Sequence, residues 1–175
     1  MTEKKARVAI NGFGRIGRAF SRAAFGNANI EIVAVNDLTS PENLAYLLKY
    51  DTVYGRAPFS VEAKGNTLVI DGKSVPVLSE REPSKLPWKD MKVDVVVEST
   101  GKFTSAEKAQ AHIDAGAKRV VITAPAKGEG VETILLGANE EKFGSAGAIT
   151  SNASCTTNAC SPIIGILDEA LGIER

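Results

Sequence analysis

The stretch "RVAINGFGRIGR", residues 7 to 18, constrains the fold more than any other part of the chain. A short apolar strand, "RVAI" (7 to 10), runs directly into three glycines, Gly12, Gly14 and Gly17, at G-x-G-x-x-G spacing. Behind them Ile16, Phe20, Ala23 and Ala24 recur at helical spacing until Gly26-Asn27 stop the helix. Strand, tight loop and helix follow in that order. "EIVAV" (31 to 35) reads as the next strand, and Ser40-Pro41 read as N-cap and first residue of a helix over "PENLAYLLKY". The chain therefore opens as β-α-β-α.

From 59 to 78 the apolar period changes to two. "FSVEA", "TLVID" and "SVPVL" predict short antiparallel strands joined through Gly65-Asn66 and Asp71-Gly72. "VDVVVES" (93 to 99) resumes the style of a buried parallel strand. Thr104 with Glu107 predicts a capping box for a helix over 105 to 115, closed by Gly116. "RVVIT", "ETILLG" and "GAITS" are further strand candidates at 119–123, 132–137 and 147–151. The alternation predicts an α/β fold: a doubly wound, mostly parallel sheet of Rossmann type with an antiparallel hairpin insertion.

Composition narrows the function. With 175 residues, 43% hydrophobic, the chain can bury one ordinary core, so one domain with a short remainder is expected. The 21 basic and 21 acidic residues balance, which gives no electrostatic reason to expect nucleic acid or an anionic membrane as partner. No apolar run is long enough to span a bilayer and no signal peptide is visible, so a cytoplasmic location is expected. The two cysteines make no disulfide framework, and no Cys/His cluster suggests a metal.

In this context the glycines acquire roles. Gly12 permits the turn, Gly14 lets a pyrophosphate approach the backbone, and Gly17 lets the helix pack on the strand. Arg15 and Ile16 offer free N–H groups at the positive end of the helix. Asp37, 20 residues after Gly17, stands where a carboxylate accepts both ribose hydroxyls of an adenosine and repels a 2′-phosphate. The expected cofactor is NAD. A second informative stretch is "SNASCTTNACSPIIGILDEALG", 151 to 172. Ser154 is a candidate N-cap, which places Cys155 in the first turn of a helix with the apolar stripe Ile163, Ile164, Leu167 and Leu171. Helix amides and dipole favour a thiolate there, so Cys155 is a candidate nucleophile. Cys160 reads as a buried, inert thiol. His112, the single histidine, is expected on the solvated face of its helix, away from Ala109 and Ile113.

"INGFGRIGR", "NDLT" with "LLKYD", "ESTGKF", "VVITAPAKG" and "SNASCTTN" occur in that order, and together they resemble phosphorylating glyceraldehyde-3-phosphate dehydrogenase in its N-terminal NAD-binding half. The resemblance implies oxidative phosphorylation of glyceraldehyde 3-phosphate with NAD, a glycolytic reaction. It implies Cys155 as the nucleophile that forms a thiohemiacetal, and phosphate contacts from Ser154 and Thr156. NAD would be held by Gly12, Arg15, Ile16 and Asp37, with Arg81 near the adenine and Thr100, Gly101, Phe103 and Thr123 along the cofactor. Self-association is also implied, as a homotetramer in the full-length family.

That family has roughly twice this length, the usual size of a two-domain chain. Residues 1–151 are therefore read as the dinucleotide-binding domain and 152–175 as the first helix of a truncated catalytic domain, inactive alone for want of the family's catalytic histidine and substrate clamps. Two other readings stay open: a stand-alone NAD-binding module without turnover, and a dehydrogenase acting on erythrose 4-phosphate.

Overall fold

The computed structural model describes residues 4–174. β1 (Ala6–Asn11) is apolar on both faces because it lies inside a sheet, with parallel neighbours on each side. From its end the chain enters α1 (Arg15–Ala24), β2 (Ile30–Asn36) and α2 (Pro41–Lys49), the last capped by Ser40, whose hydroxyl accepts from the Asn43 N–H. A two-stranded hairpin, β3 (Tyr50–Asp51) with β4 (Gly55–Arg56), follows. β5 (Val61–Ala63), β6 (Thr67–Ile70) and β7 (Lys73–Leu78) form an antiparallel meander. β8 (Val95–Glu98), α3 (Ala106–Asp114), β9 (Arg119–Ile122), β10 (Glu132–Thr133), β11 (Ile149–Ser151) and α4 (Cys155–Leu171) complete the chain.

Nine strands join in the order β10-β11-β9-β8-β1-β2-β7-β6-β5, and every pairing from β10 through to β7 is parallel. The antiparallel meander is therefore no detached insertion: β7 pairs with β2 at Val35↔Val77 and Asn36↔Leu78 and carries the sheet outward. Alternate residues of β1 and β2 serve different cores. Ala9 and Ala34 pack with Trp88, Val96, Ala109 and Val120 beneath α3, whereas Ile10 and Val35 pack with Leu44, Leu48 and Leu68 beneath α2. Where no helix among the described residues covers β8 and β9 on this second side, Val97 and Val121 line an open apolar groove together with Phe20, Leu136 and Phe143.

Four local expectations are corrected. α1 turns Gly17, Ser21 and Ala24 inward, while Ile16 and Ala23 are exposed; the helix lies so close to β1 that a Cβ at residue 17 would overlap the Gly12 carbonyl, so small residues occupy the contact. α3 is capped by Ser105, which accepts from the Lys108 N–H, and not by Thr104, which is buried and gives its carbonyl to the Lys127 amide. The strand expected over 132–137 ends at Thr133, since the Asn139 side chain takes the Leu135 amide and Glu140 takes the Gly137 amide. Cys160 is exposed, because no residue of α4 is buried against the domain.

Candidate functional site

All the parallel strands end at one edge, so the loops after β1, β2, β8, β9 and β11 open together there. The chain leaves β1 toward β2 on one side, and β8 lies on the other, which makes the gap between β1 and β8 the point where the winding reverses. Ligands of open α/β sheets bind at such a point, because the two loops diverge and leave a crevice. A cleft of about 310 Å³ lies there, lined by Gly12, Gly14, Asp37, Arg81, Thr100 and Phe103, with Asn11 and Asn36 in its floor.

The glycine loop shapes one wall. Gly12 has φ +88°, donates its N–H to the Asn36 carbonyl at 2.8 Å, and leaves no room for a Cβ, which would lie 2.7 Å from the Thr100 nitrogen. Gly14 is the opposite case: a Cβ there would meet nothing within 4 Å and would project into open space beside the cleft. Among the described residues no acceptor meets the N–H groups of Arg15, Ile16 and Gly17, and no side chain caps α1. Bare backbone and free amides at a helix N-terminus suit a pyrophosphate, so the residues present fit a dinucleotide.

Asp37 closes the far end. Its Oδ2 accepts from the Phe13 N–H at 2.7 Å and its Oδ1 from the Thr39 N–H at 2.9 Å, which orients the carboxylate and leaves each oxygen another lone pair. Glu80 stands beside Arg81 in the same cleft, its carboxyl held below the usual carboxylate range chiefly by the Glu82 amide. Two acids there disfavour an additional phosphate. Gly101 takes φ +72° directly after Thr100. Thr123 stands apart from these residues: it follows β9, its hydroxyl donates to the Glu98 carbonyl at 3.1 Å, and it lines the apolar groove instead of the cleft.

At the same edge, β11 leads into α4 through Ala153, a non-glycine residue at φ +57°. Ser154 caps the helix, its Oγ accepting from the Thr157 N–H at 3.0 Å and lying 2.8 Å from the Thr156 hydroxyl. Cys155 is the first helical residue and is exposed, and no acceptor among the described residues meets its amide or that of Thr156. Cys155 thus presents a thiol amid free helix donors.

Sequence reasoning missed the groups beneath the cleft and misplaced one of them. His112 is fully buried, not solvated. Its Nδ1 accepts from the Trp88 indole N–H at 3.0 Å, and its Nε2 lies 3.0 Å from Glu98 Oε2. Glu98, also buried, further meets Asn11 Nδ2 at 2.6 Å and both the amide and the hydroxyl of Thr100. Asn36 donates to Asn11 Oδ1 at 2.7 Å. One signal was available: His112 stands three residues after Ala109, and residues so spaced share a helix face.

Fold, glycine loop and acidic strand end together define a dinucleotide-binding domain of the nicotinamide-dependent oxidoreductase class. A family model described as "Glyceraldehyde 3-phosphate dehydrogenase, NAD binding domain" matches residues 6–106, and the chain belongs to that family. Its cofactor is NAD. Among similar curated proteins, glyceraldehyde-3-phosphate dehydrogenase of Thermotoga maritima is 54% identical over 170 residues, covering 96% of this chain and 51% of that protein. The proteins of the same name from Mycoplasma pneumoniae and Geobacillus stearothermophilus are 52% and 53% identical, each covering 97% of this chain and 50% of theirs. The chain spans about half the length of the curated relatives it matches.

Proposed function

We propose that this chain supplies the cofactor cleft and the nucleophile for NAD-dependent oxidative phosphorylation of glyceraldehyde 3-phosphate. Residues 1–151 form the dinucleotide-binding domain, and α4 begins the catalytic part. The observation that carries the reading is the common sheet edge: the glycine loop, Asp37 and the exposed Cys155 all follow parallel strands that end there. Arg15 and Ile16 hold the pyrophosphate through their amides, Asp37 takes the ribose hydroxyls, and Arg81 lies by the adenine. Thr100, Gly101 and Phe103 extend the track toward β11, while Thr123, which lines the neighbouring groove, adjoins it only through its bond to the Glu98 carbonyl. When bound, NAD supplies the hydride acceptor.

Cys155 attacks the aldehyde carbon of the substrate, Ser154 and Thr156 contact phosphate, and the free amides of the first turn favour the oxygen anion that develops. The general base must come from elsewhere, since His112 is buried with both ring nitrogens engaged. A polypeptide of these 175 residues therefore binds NAD without forming NADH. No helix among the described residues is long and apolar enough to cross a membrane; we place the protein in the cytoplasm, self-associating through its exposed apolar faces.

Calorimetric titration tests the cofactor assignment. NAD is expected to bind more tightly than NADP, and Asp37→Ala is expected to reduce that preference by about tenfold or more. Equal affinities in the parent chain would overturn the role of Asp37.

A further inference from the structure

The network beneath the cleft has fixed polarity, because main-chain groups and an indole set its direction. The Glu80 N–H donates to Asn36 Oδ1 at 2.8 Å, so Asn36 presents its NH₂ to Asn11 Oδ1, and Asn11 must in turn present its NH₂ to Glu98. From the other side Trp88 Nε1 can only donate, so His112 Nδ1 accepts and Nε2 carries the ring proton toward Glu98. Thr100 contributes its main-chain N–H and its hydroxyl to Oε1. An amide, a hydroxyl, a carboxamide and a neutral imidazole all face Glu98, which is the donor set of an ionised carboxylate. Among the described residues no lysine or arginine pairs with it.

We propose that Glu98 is a fixed, uncompensated anion under the cleft that makes the site prefer the oxidised to the reduced dinucleotide. Asn11, Ser99 and Thr100, which bond to it or adjoin it in sequence, line the cleft directly. The inference rests on the dinucleotide reading above. The two redox forms differ by one unit of charge on the nicotinamide ring, the oxidised ring being cationic and the reduced ring neutral. A buried carboxylate attracts the first and gives the second no such attraction. At an effective dielectric of about 20 a unit charge about 12 Å away changes the affinity ratio by roughly tenfold. Glu98 touches no substrate or cofactor in this scheme. It acts as a specificity residue through its field, while His112, Trp88 and Asn11 hold it in place.

The test is a pair of calorimetric titrations of the chain, one with NAD and one with NADH. NAD is expected to bind about tenfold more tightly; Glu98→Gln, which keeps one acceptor oxygen and loses the charge, is expected to bring the ratio close to one. His112→Gln keeps the Glu98 charge and is expected to preserve the ratio even if both affinities fall. Equal parent affinities, or a ratio that collapses in His112→Gln and survives in Glu98→Gln, would overturn the proposal. Failure of the parent to bind either form would instead sink the dinucleotide reading on which it stands. Should Glu98→Gln not fold, the parent ratio and nitrogen NMR decide. His112 is the single histidine, so its ring signals are unambiguous. A bare Nδ1 with a protonated Nε2 at neutral pH is expected, and a doubly protonated ring would mean that Glu98 is compensated.

Discussion

Single atoms separate the three glycines of the loop. At Gly17 a Cβ would overlap the Gly12 carbonyl and crowd Ser99 Oγ at 3.0 Å, so Gly17→Ala must push α1 off β1. A loss of about 1–3 kcal/mol is expected, read as a lowered melting temperature. Gly14→Ala has free space and should change stability by less than about 1 kcal/mol, yet its methyl stands where the pyrophosphate is proposed to pass. Its NAD affinity is expected to drop by roughly tenfold or more. A stable Gly17→Ala variant, or full NAD affinity in Gly14→Ala, would show that the loop is not used in this way. At the opposite edge of the sheet, Asp94 joins the starts of β1 and β9, accepting from Lys118 Nζ at 2.7 Å and from the Arg7 N–H at 3.0 Å. The Lys118 ammonium first, then the Arg7 amide, hold its carboxyl below the usual range. A carboxyl whose folded value is depressed stabilises the fold above its unfolded value of about 3.9 and loses that contribution as pH falls through the lower folded one. Asp94→Asn should therefore cost about 0.5–1 kcal/mol at neutral pH. The gap between variant and parent should close below about pH 4 in denaturant titrations.

At the scale of elements, α4 carries a comparison within one helix. Cys155 and Cys160 are both exposed, so accessibility does not separate them. Position does: Cys155 sits at the N-terminus beside unpaired amides, whereas Cys160 lies where the backbone is already bonded within the helix. Iodoacetamide is expected to modify Cys155 first, as peptide mass spectrometry of a time course would read, and faster modification of Cys160 would count against the N-terminal effect. Ser154→Ala removes the cap and is expected to cost about 1 kcal/mol of helix stability. Periodicity located these elements because it repeats every few residues. The inward face of α1 escaped it, since close approach to β1 selected Gly17, Ser21 and Ala24 for size and left Ile16 outside.

For the whole molecule, the uncovered apolar surface sets the expected behaviour in solution. Ile163, Ile164, Leu167 and Leu171 are 59%, 55%, 44% and 79% exposed, and the groove over β8 and β9 lies open as well. Apolar surface of this extent drives association. Sedimentation at rising concentration should show species larger than one chain, and Ile164→Asp should reduce both their fraction and the binding of a hydrophobic dye. A strict monomer that binds no dye would remove the case for self-association.

What this sequence determined by itself is whatever a few neighbouring residues can encode. The glycine spacing after a strand, the serine caps at 40 and 154 and the alternation of strand with helix each depend on local backbone geometry, so they were legible along the chain together with the parallel sheet they imply. The tertiary structure decided what depends on distance. Glu98 closes an apolar strand and His112 sits in an ordinary helix, and only the crossovers of the sheet bring them together with Asn11, Asn36 and Trp88, residues as far as 101 positions apart. A buried carboxylate is tolerable only where donors converge on it, and that convergence is a property of packing: no local pattern in the chain carries it.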